Sequence, residues 1–211
     1  TVCNAIEIVD AERRTIGFTT SPLICARPNL QPMVGYAVTA TVRATNTGPT
    51  GSTARGKYLD HVAKGPHPTI AIIQDLDPEP GFGAFWGEVN SAVHSALGCI
   101  GTITNGSIRD LDDCAEGFQL LAGKIGPSHG HIHVVESSIE VTVAGMTVKP
   151  GDVIHSDKHG AVVIPEGSAR AVVDAAQLLS RREAVILDAA RAPDSTLEKI
   201  LQAMAESSKV M

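Results

Sequence analysis

The sequence predicts a single α/β domain that contains both parallel and antiparallel strands. A length of 211 residues fits one domain with one hydrophobic core. A strand–helix–strand pattern between residues 69 and 104 requires its two strands to lie parallel in one sheet. Beyond Pro127 the chain changes to short strands separated by turns, which is typical of antiparallel pairing. No linker, repeat or low-complexity segment divides the chain, so we expect one domain over residues 1–211.

Helices and strands alternate in the first half of the chain. A short helical pattern opens the sequence, and a second has its apolar residues on one side; the predicted helices are Val2–Val9 and Gly51–Ala63. Two runs rich in β-branched residues predict strands at Val34–Val42 and Thr69–Gln74. A further helix begins near Gly87 and precedes a strand at Cys99–Thr104. Its apolar residues recur with a period near 3.6 and are Phe85, Val89, Ala92, Val93, Ala96 and Leu97.

The second half predicts a hairpin followed by helices. Val153–His155 and Ala161–Ile164 flank a turn at residues 156–160 and predict the hairpin. A long Ala/Leu/Val-rich helix is expected over Ser168–Ala190. Ser195 and Glu198 form a capping box that predicts the start of the last helix.

Composition excludes several classes of function. The net charge is −6 and no run of Lys or Arg occurs, so a nucleic-acid partner is not expected. No apolar run approaches membrane-spanning length and no signal peptide opens the chain, so no membrane association is expected. The four cysteines stand alone without a CxxC spacing, which predicts reduced thiols in a cytoplasmic protein.

A glycine-rich segment leads into the helix that begins near Gly87. Free N–H groups and the helix dipole make a helix start a natural site for a carboxylate or phosphate. Gly81, Gly83 and Gly87 would let a ligand approach the backbone closely. The alternative is a plain turn between strand and helix. The spacing does not match a dinucleotide-binding fingerprint, so no nucleoside cofactor is expected.

Arg109 and Asp110 follow the strand Cys99–Thr104, and ligands in open α/β sheets gather at the carboxyl ends of strands. A guanidinium can bind a carboxylate through two hydrogen bonds, and an adjacent aspartate offers a hard oxygen ligand for Mg²⁺ or Mn²⁺. A surface ion pair is the alternative for this dipeptide alone. Together with Glu88 and the glycines, the pair favours a site for a small keto acid chelated to a divalent metal.

Six histidines allow weaker hypotheses. His129, His131 and His133 would share one face if they lay on a strand, which would suit a transition metal, although an exposed loop or a polar pocket is the commoner arrangement. His155 and His159 flank the predicted hairpin turn and could line a pocket or serve the turn alone. His94 lies within an amphipathic helix and is predicted to be a surface residue.

Two segments resemble a known family. GEVNSAVHSALGCIGTITNGSIRD and VAGMTVKPGDVIHSDKHGAVVIP are similar to the signatures of the RraA-like family (regulator of ribonuclease E activity A). That family includes class II 4-hydroxy-4-methyl-2-oxoglutarate aldolases and sequences labelled dimethylmenaquinone methyltransferase. The aldolases show an acidic residue, twenty residues and then Arg-Asp, as Glu88, Arg109 and Asp110 do here. The opening helix also resembles the family, so the resemblance covers nearly the whole chain.

The resemblance implies a β/β/α swivelling-type (phosphohistidine-domain-like) fold, assembled as a trimer or a dimer of trimers with sites between subunits. It implies that the substrate carboxylate is bound by the backbone amides of Gly87, Glu88, Val89 and Asn90. Arg109 would bind the keto acid and Asp110 would ligate Mg²⁺ or Mn²⁺. Glu88 stands where the aldolases usually have Asp, which holds a metal-bound water. The glutamate side chain is longer by one methylene, so the resemblance does not fix the identity of the substrate.

Two functions remain as expectations. The first is a metal-dependent lyase that releases pyruvate, through aldol cleavage of a 4-hydroxy-4-methyl-2-oxoglutarate-type acid or decarboxylation of oxaloacetate. Arg109 and Glu88 would be its catalytic residues. The alternative is a non-catalytic protein that binds and inhibits ribonuclease E. The retained acid, Arg109 and Asp110 favour the lyase, since function depends on the site more than on the fold.

Overall fold

The computed structural model describes residues 1–48 and 53–211, and within these ranges the chain forms five α-helices and eleven strands. The helices are α1 (Val2–Val9), α2 (Thr53–Lys64), α3 (Glu88–Ala96), α4 (Ala169–Arg191) and α5 (Leu197–Ser207). The strands are β1 (Ile24–Cys25), β2 (Met33–Arg43), β3 (Thr69–Asp75), β4 (Ala84–Trp86), β5 (Cys99–Ile108), β6 (Gln119–Ile125), β7 (His133–Ser137), β8 (Val141–Val143), β9 (Met146–Val148), β10 (Val153–Asp157) and β11 (Gly160–Ile164). The first two residues of the predicted helix Gly51–Ala63 lie outside the described residues.

The described chain divides into two compact units, one formed by Thr1–Ile16 with Pro165–Met211 and the other by Gly17–Ile164. In the first unit α4 contacts both α1 and α5. Ser207 closes the α4–α5 pair by donating its hydroxyl to the Arg182 carbonyl at 2.9 Å. The predicted single domain over residues 1–211 stays a prediction.

The second unit contains the mixed sheet. Within the described residues, its nine strands include a path in the order β1-β6-β5-β3-β2-β10-β11, with β4 paired to β5 and β7 paired to β2. The β3 and β5 strands are parallel, as the strand–helix–strand pattern predicted, and β10 and β11 form the predicted antiparallel hairpin. A separate two-stranded sheet consists of β8 and β9.

Both faces of the central strand β3 are buried, which explains its uninterrupted apolar sequence. Ala71 and Ile73 pack into one hydrophobic cluster, while Ile70 and Ile72 pack into a second cluster on the other face. Side chains alternate between the faces of a strand, so the sheet separates the two clusters. The first cluster includes Trp86, which immediately precedes Gly87 and α3.

Three features of the predicted helices need correction. Phe85 lies in β4 rather than in the helix. The apolar residues that were counted as one helical pattern therefore belong to a strand and to the helix that follows it. The residues that α3 buries are Ser91 and His94, whereas Val89, Ala92 and Ala96 are exposed. At α5 the capping side chain belongs to Thr196, which accepts a hydrogen bond from Lys199 N, and not to Ser195.

All four cysteines lie in the described ranges, and Cys25, Cys99 and Cys114 are free thiols. Among the described helices none combines the length and the apolar character needed to cross a membrane.

Candidate active site

The loop before β4 is fixed by two buried acids. Asp75 accepts hydrogen bonds from Asp77 N at 2.9 Å and from Gly81 N at 2.7 Å. Asp77 in turn accepts from Ala44 N at 2.8 Å and from the Thr45 hydroxyl at 2.5 Å. Burial raises the pKa of the Asp75 carboxyl, against the two N–H groups that lower it. These bonds place Gly81 and the glycine-rich segment beside the carboxyl end of strand β3.

Gly87 is the N-cap of α3 and lies close to Asp110. A Cβ atom at Gly87 would meet Asp110 Oδ2 at 2.6 Å, so glycine leaves the space that this carboxylate occupies. The first intrahelical bond runs from Ser91 N to Gly87 O at 3.0 Å, which leaves the amides of Glu88, Val89 and Asn90 ahead of it. Because these N–H groups lie at the positive end of the helix dipole, the helix start can bind an anion.

Arg109 and Asp110 follow β5 directly, since the strand extends to Ile108 rather than ending at Thr104. Arg109 N donates to Trp86 O at 3.0 Å, which ties this junction to the end of β4. Asp110 has a φ of 52°, a left-handed conformation that turns the chain sharply after the strand. Its carboxylate lies 3.1 Å from Arg109 Nη1 and accepts from Glu88 N at 3.4 Å. The structure therefore brings Gly87, Glu88, Arg109 and Asp110 together.

Arg27 holds the loop that follows Asp110, a role that the sequence did not indicate. Its Nη1 and Nη2 groups donate to four main-chain carbonyls of this loop, at 3.4 Å to Leu111, 2.7 Å to Cys114, 2.5 Å to Ala115 and 3.4 Å to Phe118. Ser91 Oγ links the same loop to α3, because it accepts from Ala115 N at 2.9 Å and donates to Glu88 O at 2.8 Å.

A cavity of about 300 Å³ lies at the start of α3. Its lining residues are Arg55, Ala84, Phe85, Gly87, Val89, Asn90, Arg109, His129 and Ile132. Four residues that were predicted to bind substrate thus line one cavity, whereas Glu88 and Asp110 are not among its lining residues. Arg55 and His129 were not predicted to act at this site. Of the two, only His129 had a sequence signal, as part of a histidine group that could line a polar pocket.

The end of α3 away from the cavity is anchored by His94, which is fully buried. The prediction that His94 is a surface residue is therefore wrong. Its Nδ1 lies 2.6 Å from Asn90 O and its Nε2 lies 2.8 Å from the Tyr58 hydroxyl. A carbonyl only accepts, so Nδ1 carries the proton and Nε2 accepts from Tyr58. Burial lowers the pKa of His94 to about 4, which keeps the ring neutral.

The remaining histidines do not form the predicted metal-binding face. His133 begins β7, while His129 and His131 precede that strand and lie in a loop. His159 Nδ1 lies 3.2 Å from Asp157 Oδ1 within the β10–β11 turn, which agrees with a role in the turn. Across residues 1–48 and 53–211 no group of three or more His, Cys, Asp or Glu side chains could hold a metal ion.

The acids of this site nevertheless fit one kind of metal. Mg²⁺ is commonly bound through one or two carboxylates and retains several waters. Asp110 and Glu88 provide two carboxylates at the helix start, both at least partly exposed, and the Asp110 carboxylate occupies the space that Gly87 leaves. These residues suit a hydrated hard cation, and they do not suit a metal that requires a full set of protein ligands.

A model of the RraA-like family, described as Aldolase/RraA, matches residues 2–163. The chain belongs to the RraA-like family. The family includes aldolases and decarboxylases as well as inhibitors of ribonuclease E. Its fold agrees with the mixed α/β architecture, so the predicted family and fold class are confirmed.

Two relatives of this RraA-like chain are distant in sequence. An uncharacterised protein of Methanocaldococcus jannaschii is 30% identical over 102 residues, which cover 47% of this chain and 49% of that protein. Protein DlpA of Legionella pneumophila is 27% identical over 209 residues, or 93% of this chain and 32% of that protein. The chain thus spans half or less of the length of both relatives.

A solved structure shares the fold. RraAS2 of Streptomyces coelicolor, described as an unusual member of the RNase ES inhibitor RraA protein family, has a TM-score of 0.68 and 20% identity. The alignment covers 86% of this chain and 88% of that chain. At this identity the similarity concerns the fold alone.

Proposed function

We propose that this RraA-like chain is a divalent-metal-dependent lyase that releases pyruvate from a small keto acid. The observation that carries the proposal is the meeting of the α3 start with the Arg109–Asp110 pair beside one cavity. A protein that acts only as a binding partner does not require a guanidinium, a carboxylate and helix-start amides at one point. Mg²⁺ or Mn²⁺ is the proposed cofactor, with Asp110 as its ligand.

The proposed substrate carboxylate binds at the helix start. The amides of Val89 and Asn90 precede the first intrahelical bond and are available to an anion, while that of Glu88 donates to Asp110 Oδ2 at 3.4 Å. Arg109 lines the same cavity, and its planar guanidinium would bind a carboxylate or keto oxygen in a fixed orientation. When bound, the divalent cation would supply positive charge that stabilises the enolate of pyruvate.

Both candidate reactions break the bond between C3 and C4 and leave its electron pair on C3. In aldol cleavage the C4 hydroxyl loses its proton and C4 becomes a carbonyl carbon; in oxaloacetate decarboxylation C4 leaves as carbon dioxide. Protonation of C3 then gives pyruvate in each case. Arg109 would stabilise the developing enolate oxygen. Glu88, exposed at the first position of α3, would receive the hydroxyl proton through a water molecule.

A covalent imine mechanism is not proposed. No lysine is present among the described residues that line the cavity, so no amine is placed to form an imine with a keto group. Trimer or dimer-of-trimers assembly and a cytoplasmic location also remain proposals. Val89 supports the assembly, because this apolar side chain at the site is 65% exposed and would be covered by a neighbouring subunit.

A metal-depletion assay tests the function. The protein is stripped with EDTA, dialysed and assayed for pyruvate release from oxaloacetate and from 4-hydroxy-4-methyl-2-oxoglutarate, with and without added Mg²⁺ or Mn²⁺. We expect release that depends on the metal and exceeds the rate of metal alone in buffer. If release from both acids equals that of the buffer control, the lyase is ruled out. Binding to ribonuclease E is then the function to test by pull-down.

A further inference from the structure

We propose that Arg55 binds the second carboxylate that both proposed substrates carry, so that this residue sets the preference for keto acids with a distal anionic group. This inference rests on the proposed function for its substrate class. Arg55 lies on α2, whereas Arg109 follows β5, yet both line the same cavity of about 300 Å³. The fold therefore brings two guanidinium groups from separate elements to one small space.

The Arg55 side chain is held in place by an amide. Its Nη2 donates to Asn90 Oδ1 at 2.8 Å, and Asn90 Nδ2 in turn donates to Phe85 O. The Asn90 side chain is thus fixed at both ends, and it connects Arg55 to the first turn of α3. Because a guanidinium has five N–H donors, this bond leaves most of the donors of Arg55 available to a ligand.

Within the described part of the chain, the charge of Arg55 has no carboxylate partner. No ion pair of the described residues involves Arg55, and residues 49–52 contain no acid. Arg109, by contrast, lies 3.1 Å from the carboxylate of Asp110. Among the described residues that line the cavity, two carry a guanidinium and none carries a carboxylate. Of these two lining residues, Arg55 is therefore the one whose charge is not paired with a carboxylate, which favours an anionic group of the ligand beside it.

The two cationic regions have separate tasks in this proposal. The helix amides and Arg109 would bind the carboxylate and keto oxygen of the reacting end of the substrate. Arg55 would then bind an anionic group on the fragment that is released. The competing explanation is that Arg55 only supports Asn90 and so docks α2 against α3. That explanation predicts no dependence on the charge of the ligand.

A matched pair of ligands separates the two explanations. 2-Oxoglutarate and 2-oxopentanoate have five carbons each and the same keto acid end, and only the first has a distal carboxylate. Neither contains the 4-hydroxyl group needed for aldol cleavage. Their dissociation constants are measured by calorimetry with Mg²⁺ present, for the wild type and for Arg55→Gln, Arg55→Lys and Lys57→Gln. Lys57 is the control, because it is an exposed cation on the same helix that does not line the cavity.

We expect the wild type and Lys57→Gln to prefer 2-oxoglutarate by about tenfold or more, the effect of one charge-assisted contact. Arg55→Gln should lose that preference while its affinity for 2-oxopentanoate changes less than about threefold, and Arg55→Lys should retain part of it. Equal losses for both ligands in Arg55→Gln, or no preference in the wild type, would overturn the assignment.

Oxaloacetate turnover, measured on the same samples, separates this inference from the proposed function. If the preference for 2-oxoglutarate depends on Arg55 but oxaloacetate is not turned over, the lyase function is ruled out and the anion site is retained. Turnover without such a preference would keep the lyase and remove Arg55 from substrate recognition.

Discussion

Arg27 and Arg109 are both partly buried arginines beside the loop that follows β5, but their surroundings differ. The guanidinium of Arg27 donates to four main-chain carbonyls, from Leu111 to Phe118. That of Arg109 contacts the carboxylate of Asp110 and lines the cavity, and its side chain is 37% exposed. An arginine whose donors are occupied by the backbone stabilises the fold, whereas one that faces a cavity and a carboxylate is available to a ligand.

The comparison predicts opposite phenotypes for the two arginines, and Arg109 should give the larger effect. We expect Arg109→Ala to lower the rate of pyruvate release by about 100- to 1000-fold, as for loss of a preorganised contact to a developing oxyanion. Arg109→Lys retains the charge but loses the planar geometry, so it should recover only a small part of the rate. The melting temperature and the oligomer of both variants should match the wild type. Unchanged pyruvate release in both would mean that the lyase site lies elsewhere.

A second prediction concerns the buried end of α3. The pKa of His94 is about 4 in the folded chain, below the ordinary value of 6.5, because burial disfavours the charged ring. The unfolded chain therefore binds a proton more readily between these values, and stability falls as the pH drops from about 6.5 to 4. The expected loss is about 3 kcal/mol. Urea unfolding at a series of pH values measures it.

Two histidine variants control this measurement. His94→Asn should flatten the slope of the unfolding free energy between pH 6.5 and 4, although it also lowers stability at neutral pH. His131→Asn, at an exposed loop position, should leave the slope as in the wild type. A slope that persists in His94→Asn would assign the effect to another group.

Arg27 provides the counterpart to Arg109. We expect Arg27→Met to lower the free energy of unfolding by about 2 kcal/mol, since it leaves carbonyls of a partly buried loop without their donor. Its effect on pyruvate release should be far smaller than that of Arg109→Ala. Urea unfolding and the oxaloacetate assay on the same samples check both statements. A variant with normal stability and no turnover would reverse the roles that the contacts indicate.

The contrast between local patterns and contacts of distant segments explains how much of the structure could be predicted from the sequence. Elements that depend on local pattern were predicted well: α1 spans the predicted Val2–Val9, and the parallel strands β3 and β5 lie where the apolar runs indicated. The juxtaposition of Glu88, Arg109 and Asp110 was also predicted, because the residues lie in one helix–strand unit and the family signature contains them. Their chemical roles stay predictions.

Features that depend on contacts between distant segments were missed. Arg27 and Arg55 reach the site from other parts of the chain, and no local pattern marks them. The burial of His94 was missed for a related reason, since Tyr58 on α2 provides the partner that allows a polar ring in the core. The predicted metal-binding face of His129, His131 and His133 does not form, because only His133 lies on a strand. The alternation of side chains along a strand therefore did not apply to the other two histidines.

The smallest expected effect belongs to Glu88→Asp, which restores the residue that the aldolases usually have. Both side chains carry one negative charge, and they differ by one methylene, so the proton acceptor moves without being lost. We expect the rate of 4-hydroxy-4-methyl-2-oxoglutarate cleavage to change by about tenfold or less, because the position of a proton acceptor affects its efficiency. Oxaloacetate decarboxylation releases no hydroxyl proton, so its rate should stay near that of the wild type. The ratio of the two rates, measured at saturating substrate, therefore isolates the role of Glu88 from that of Arg109, which serves both reactions. A parallel fall in both rates would assign Glu88 to cation or substrate binding instead of proton transfer.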